Sequence, residues 1–382
     1  MPPISTGVKV SCGSPNLNDE VFPNMNSKIE KITQVTNDGS HNAFPGMTRF
    51  KGALYLSYRT STGHAMNDGK ICLKRSFDNG ENWEDLQTTL TDKNYYEGFM
   101  IEFKGKLFMF GGAYPREIEH PVWMHECRQY VSVSENGTDW STPKEVAPPF
   151  AMRFWHPIVI GDLLYVASYS CFKNFRGTKM EVDLLSSEDG FTWKWVSQIS
   201  DLPAGNETSI LYDGENIHAF IRNERGTLRM KHTCDGDFTR WSDEEDLQVG
   251  LQGPMAYEIN GRRFLSGRFR GASPRLGGSF TDRSQTRFRT YVYVPQIKLF
   301  VEYADFPSGF DCAYSESVPL DGNRMLTAYY SQHGHGSKEG FRDMEGGSDI
   351  FLATVRTDMA PEWGKLTPGA MAYLDKIGVS YK

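Results

Sequence analysis

No stretch of the 382-residue chain approaches 18 consecutive apolar residues, so no membrane-spanning helix is encoded. Closely spaced cysteines are missing as well. Cys12, Cys72, Cys127, Cys171, Cys234 and Cys312 are scattered without CxxC spacing, which argues against both a disulfide framework and a zinc site. The chain has no basic surplus: its formal net charge is −7 and its pI about 5.8. Nucleic acid is therefore not an expected partner, and an anionic ligand would have to be met by a local cluster of positive charge. The opening segment, MPPISTGVKVSCGSPN, has neither a charged start nor an apolar core. No signal peptide is read in it, and the expectation is a cytoplasmic protein or a trimmed secreted one.

What the chain does have is a repeat. Six hairpin tips read FKGALY, FKGKLF, IGDLLY, YDGENI, INGRRF and LDGNRM, with glycines at Gly52, Gly105, Gly161, Gly214, Gly261 and Gly322. The steps between them are 53, 56, 53, 47 and 61 residues. An apolar run, a glycine turn and a returning apolar run describe a tight β-hairpin. A period near ~50 residues built from such units predicts a propeller with one small sheet per blade.

A second pattern runs in phase with the first. Ser76-Phe-Asp78-Asn-Gly80-Glu-Asn-Trp83 fits S-x-D-x-G-x-x-W, and partial copies follow at Gly137–Trp140, Ser186–Trp193 and Asp235–Trp241. Such a turn would join the third and fourth strands of a blade. Its acid or hydroxyl bonds local amides, its glycine takes a positive φ, and its tryptophan packs on the blade edge. The pattern resembles the Asp-box of the sialidase superfamily. The fold expectation is all-β, a six-bladed propeller of sialidase type forming a single domain. Its blades fall at about 43–95, 96–150, 151–202, 203–250, 251–306 and 307–357, and Lys28–Val35 is the candidate strand that closes the ring.

In a propeller, the starts of the innermost strands and the ends of the second strands converge at one face. Here those segments carry Arg59, His64, Glu97, Arg116, Arg153, His156, Glu207, Arg222, Arg225, Arg268, Arg270, Asp311, Tyr314 and His333. Charged groups at the end of apolar strands need partners or a ligand. His333 and His335 flank a glycine, but no carboxylate shares their spacing, so neither a metal nor another cofactor is expected.

The resemblance to sialidases extends to individual residues. Asn206-Glu207-Thr-Ser followed by Ile221-Arg222 is similar to the blade-four pair of a glutamate and a carboxylate-binding arginine. Arg287 and Arg289 lie where the resemblance implies another clamp arginine, and Cys312-Ala-Tyr314-Ser-Glu316 is similar to the segment that carries the tyrosine nucleophile. Arg59 matches a further sialidase arginine. Two departures stand out: Ala43-Phe44-Pro45 replaces Arg-Ile-Pro, and His64 occupies the best-matched acid/base position, with Asp68 the nearby carboxylate.

The resemblance implies an exo-acting, retaining glycoside hydrolase that removes a terminal anionic sugar such as sialic acid or a related ulosonic acid. Paired guanidinium groups would hold the sugar carboxylate bidentately. A neutral tyrosine, Tyr314, deprotonated by Glu207, would attack where a carboxylate nucleophile would be repelled. Arg153, His156, Arg268 and Asp311 complete the expected binding set. Two alternatives remain open: a lyase or glycosidase acting on uronate- or rhamnose-containing glycans through His64, and a non-catalytic glycan-binding propeller.

Overall fold

The computed structural model describes residues 27–115, 127–147, 152–170, 181–202, 205–224, 226–270, 286–335, 346–366, 374–376 and 378. Six antiparallel sheets follow one another along the chain. The first contains β2 (His41–Phe50), β3 (Ala53–Ser61), β4 (Lys70–Ser76) and β5 (Glu84–Leu86). In the second, β6 (Asn94–Tyr95) and β7 (Phe99–Phe103) both pair with β8 (Lys106–Tyr114), which is followed by β9 (Arg128–Ser134) and β10 (Lys144–Glu145). The third holds β11 (Arg153–Ile160), β12 (Leu163–Ser170), β13 (Glu181–Ser187) and β14 (Lys194–Ser200). The fourth holds β15 (Gly205–Tyr212), β16 (Ile217–Asn223), β17 (Arg229–His232) and β18 (Glu245–Asp246).

The fifth sheet contains β19 (Leu251–Ile259), β20 (Arg262–Arg270), β21 (Thr286–Val294) and β22 (Leu299–Phe306). The last is ordered β1-β25-β24-β23, with β23 (Cys312–Asp321), β24 (Arg324–Ser331) and β25 (Asp349–Arg356). Its outer strand, β1 (Ile29–Gln34), comes from the other end of the chain and pairs antiparallel with β25. Each innermost strand touches the next around the circle, and β23 touches β2. The protein is thus an all-β, six-bladed propeller.

The hairpin tips have the backbone their sequences ask for. Lys51-Gly52, Lys104-Gly105 and Asn260-Gly261 each place two successive residues at positive φ, the geometry that matches strand twist in a two-residue hairpin. The Ser–Gly–Trp turns share one bonding scheme. The amides of Gly80, Gly137 and Gly190 donate to Ser76, Ser134 and Ser187 Oγ, each at 2.8 Å. A Cβ on Gly190 would lie 2.5 Å from Phe108 of the preceding blade, so glycine there also permits blade-to-blade packing.

One irregularity recurs in every innermost strand and decides where the site lies. Register breaks between Ala43 and Gly46, Trp155 and Ile158, Gly205 and Thr208, Gln252 and Met255, and Ala313 and Glu316. In the second blade the equivalent break is the Tyr96-Glu97-Gly98 segment between β6 and β7. Bulges bend a strand and re-aim its side chains. Phe44, His156, Gly253, Ala313 and Tyr314 take positive φ at these points. The left-handed region is costly for non-glycine residues and persists only where the surroundings over-determine it. The bulges turn Phe44, Tyr96, Trp155 and Tyr314 into a buried aromatic cluster on the axis. Trp155 Nε1 donates to the Pro254 carbonyl at 2.8 Å, tying the third blade to the fifth.

Candidate functional site

Tyr314 stands at the centre of the described site. Its ring lies 5.0 Å from Phe44 and 5.4 Å from Trp155, centroid to centroid, and Gly253 approaches so closely that a Cβ there would sit 3.2 Å from it. The hydroxyl donates to Glu207 Oε1 at 2.7 Å and accepts from Arg222 Nη1 at 3.1 Å. Arg222 Nη1 also bonds Glu207 Oε2, and Nη2 reaches Glu224 at 2.7 Å. Burial and the Glu207 charge push the Tyr314 hydroxyl up to about 12, against the opposing pull of Arg222 and Arg268. Free tyrosinate is therefore scarce at neutral pH, and the hydroxyl can become a nucleophile only by passing its proton on as it reacts. Glu207 is placed to receive it.

A second cluster forms around Asp311, a 3% exposed carboxylate that collects four polar contacts. Arg268 Nη1 and the Tyr330 hydroxyl donate to Oδ1, each at 2.8 Å. His41 Nε2 and His64 Nδ1 meet Oδ2 at 3.1 and 2.5 Å. Burial pushes Asp311 up, but His64, His41 and Arg268 outweigh it and hold the carboxyl well below its ordinary value. The His64 imidazole is shifted down by burial, only partly countered by Asp311. With Nδ1 engaged, Nε2 is the nitrogen available for proton transfer.

Ligand atoms of His41, His64 and Asp311 lie within 4.8 Å of one another, close enough to surround a cation. The donor set does not favour one. Both imidazoles meet the same carboxylate oxygen, and Arg268 on the other oxygen fixes a positive charge beside any ion bound there.

The structure sorts the remaining candidates. Arg268, not Arg287 or Arg289, stands beside Tyr314, with its guanidinium 5.4 Å from the ring centroid. Arg289 pairs instead with Glu302 and Asp305 and stacks on Phe269, because β21 is the third strand of its blade and lies farther from the axis than β20. Arg287 donates to the Thr286 carbonyl and lies next to His333. Arg59 is fully buried, and its donors serve the carbonyls of Tyr95, Gly63, His64 and Met66 together with Ser61 and Asn94. It holds the loop that carries His64. Asp68 accepts from the Thr62 amide within that same loop, so His64 rather than Asp68 joins the central cluster.

Two candidates form pairs of their own. Arg153 is joined to Glu97 and packs over Tyr96, and His156 Nδ1 meets Glu316 Oε2 at 2.9 Å. Arg116 and Arg225 lie outside the described residues, and for Arg270 only the backbone is described. Sequence reasoning missed His41, Phe44, Trp155, Glu224 and Tyr330. Proline follows the bulge residue in Phe44-Pro45, His156-Pro157 and Gly253-Pro254, a strand-breaking signal that pointed to three of the six inward turns.

No protein-family model matches the chain, and no curated protein does. Solved structures do resemble it. A protein of unknown function from Dyadobacter fermentans is 16% identical with a TM-score of 0.68, the match covering 86% of this chain and all of that one. The Trypanosoma rangeli sialidase is 12% identical with a TM-score of 0.61, over 92% of this chain and 60% of the sialidase. The phage phi92 endosialidase is 9% identical with a TM-score of 0.62, over 87% and 70%. The chain therefore spans less than two thirds of the Trypanosoma enzyme. At these identities the likeness is one of fold, and the fold is that of the sialidase-type six-bladed propeller.

Proposed function

We propose that this protein is a retaining glycoside hydrolase acting on a terminal anionic sugar, with sialic acid and related ulosonic acids as the substrate class. The observation that carries the reading is the buried Tyr314–Glu207 contact flanked by Arg222 and Arg268. Tyr314 attacks the anomeric carbon as its proton passes to Glu207, while Arg222 and Arg268 hold the sugar carboxylate. His64, oriented by Asp311, delivers a proton from Nε2 to the departing glycosidic oxygen. Neutral His64 then takes a proton from the water that attacks the tyrosyl glycoside, while Glu207 returns its proton to the departing Tyr314 oxygen. Two displacements at one carbon retain its configuration. Release of 4-methylumbelliferone from sialic acid, its deaminated analogue and Kdo glycosides tests the reading. Turnover that collapses in Tyr314→Phe supports it, and silence on all three overturns it.

The His64–Asp311 pair also favours a second reading, elimination on a uronate glycan with His64 as the base. An unsaturated product absorbing in the near ultraviolet distinguishes elimination from hydrolysis.

A further inference from the structure

Glu224 lies two residues beyond Arg222, just past the end of β16, and its carboxylate meets Arg222 Nη2 at 2.7 Å. The same guanidinium already serves Glu207 and the Tyr314 hydroxyl through Nη1. One cation therefore carries two carboxylates, and the two are not equivalent. The Glu207 side chain is 6% exposed and is locked to Tyr314, whereas that of Glu224 is 35% exposed. Two neutral amides also reach Glu224: Asn206 Nδ2 donates to Oε1 at 2.8 Å and Gln252 Nε2 to Oε2 at 3.4 Å. These donors would serve an incoming carboxylate as well as they serve this one. Across the tyrosine, Arg268 is bonded through Nη1, and its buried Nε has no partner among the described residues.

We propose that Glu224 is a displaceable internal anion: it occupies the position on Arg222 Nη2 that a substrate carboxylate takes, and so sets how strongly the site discriminates anionic from neutral sugars. The inference rests on the anionic-sugar reading above. Two carboxylates sharing Nη2 would repel each other, so an arriving acid and Glu224 exclude one another. Glu224 leaves at low cost because it is already partly hydrated, whereas Glu207 would have to abandon a buried bond to the nucleophile. A neutral sugar has no charge with which to displace Glu224 and gains nothing from Arg222. Glu224 is thus a specificity-determining residue.

The test compares wild type, Glu224→Gln and Glu224→Ala in the full chain, with far-ultraviolet circular dichroism confirming that each is folded. Three probes are used: acetate, the sialidase inhibitor DANA, and the neutral methyl ester of DANA. Acetate should raise the melting temperature of Glu224→Ala more than that of wild type, with Glu224→Gln intermediate. By calorimetry, DANA should bind Glu224→Ala about tenfold tighter than wild type, while the ester binds both alike. Equal acetate responses, or DANA binding that is unchanged or weakened in folded variants, overturn the proposal. If acetate separates the variants but DANA binds none of them, the role of Glu224 stands and the assignment of the sugar falls.

Discussion

The hydroxyl of Tyr314 in the sixth blade and the carboxylate of Glu207 in the fourth meet at 2.7 Å, 107 residues apart in the chain. Neither group is exposed enough for water to replace the other, and both touch Arg222. The arrangement joins a weak acid, an acceptor for its proton and a cation that stabilises the resulting negative charge.

Tyr314→Phe removes the hydroxyl and little else. On the proposed mechanism kcat falls about 10³-fold or more, with KM nearly unchanged. Stability falls by about 1–3 kcal/mol, because Glu207 loses a buried donor. Steady-state kinetics on the fluorogenic glycosides, paired with denaturant titration, separates the two effects. A variant that keeps its turnover rules Tyr314 out as the nucleophile.

Asp311→Asn keeps the shape of the second cluster and changes its hydrogen-bonding pattern. The amide no longer supports a protonated His64, so the imidazole pKa drops further below its already lowered value. Acting as the acid in the first step, His64 works only while protonated, so kcat/KM of the wild type falls as pH rises through a value below the ordinary 6.5. In Asp311→Asn that descending limb moves to lower pH. A limb that stays in place assigns the acid to another group.

Arg59→Lys retains charge and loses the planar fork that bonds several carbonyls at once. The loop carrying His64 loses its anchor, and the expected cost is about 2 kcal/mol of stability or more. Activity should fall through kcat, because His64 is misplaced while Tyr314 and Arg222 are untouched. Were Arg59 a direct substrate ligand, the dominant change would instead be in KM.

Acid should destabilise the fold as its buried histidines become protonated. Burial lowers His64 and His218, and burial together with Arg287 lowers His333 to about 4, all from 6.5. A group with a depressed folded-state pKa contributes stability above its unfolded value and loses it as pH falls toward the folded one. For His333 the window is pH 6.5 to about 4. Denaturant midpoints should decline across that range, and His333→Gln should flatten the slope. A midpoint constant from pH 7 to 4.5 contradicts the linkage.

Blade number and blade type were legible in the sequence because both are local properties. A two-residue glycine hairpin and a Ser–Gly–Trp turn each close over a few residues, so their spacing reports the blade period directly. Tyr314, Glu207 and Arg222 were picked out of the sequence by their resemblance to sialidase positions, at the starts of β23 and β15 and the end of β16. Which side chains meet was decided in three dimensions. Arg268 and Arg289 look equally suitable in sequence, but one lies on the second strand beside Tyr314 and the other on the third, tied to Asp305. His41 and Asp311, 270 residues apart, become partners because the first and last blades adjoin when the ring closes. The sequence by itself determined the repeat, through hydrogen bonds made within each turn. The tertiary structure alone decided which of the candidate side chains meet, because those contacts join residues that the breaks in six innermost strands bring to one axis.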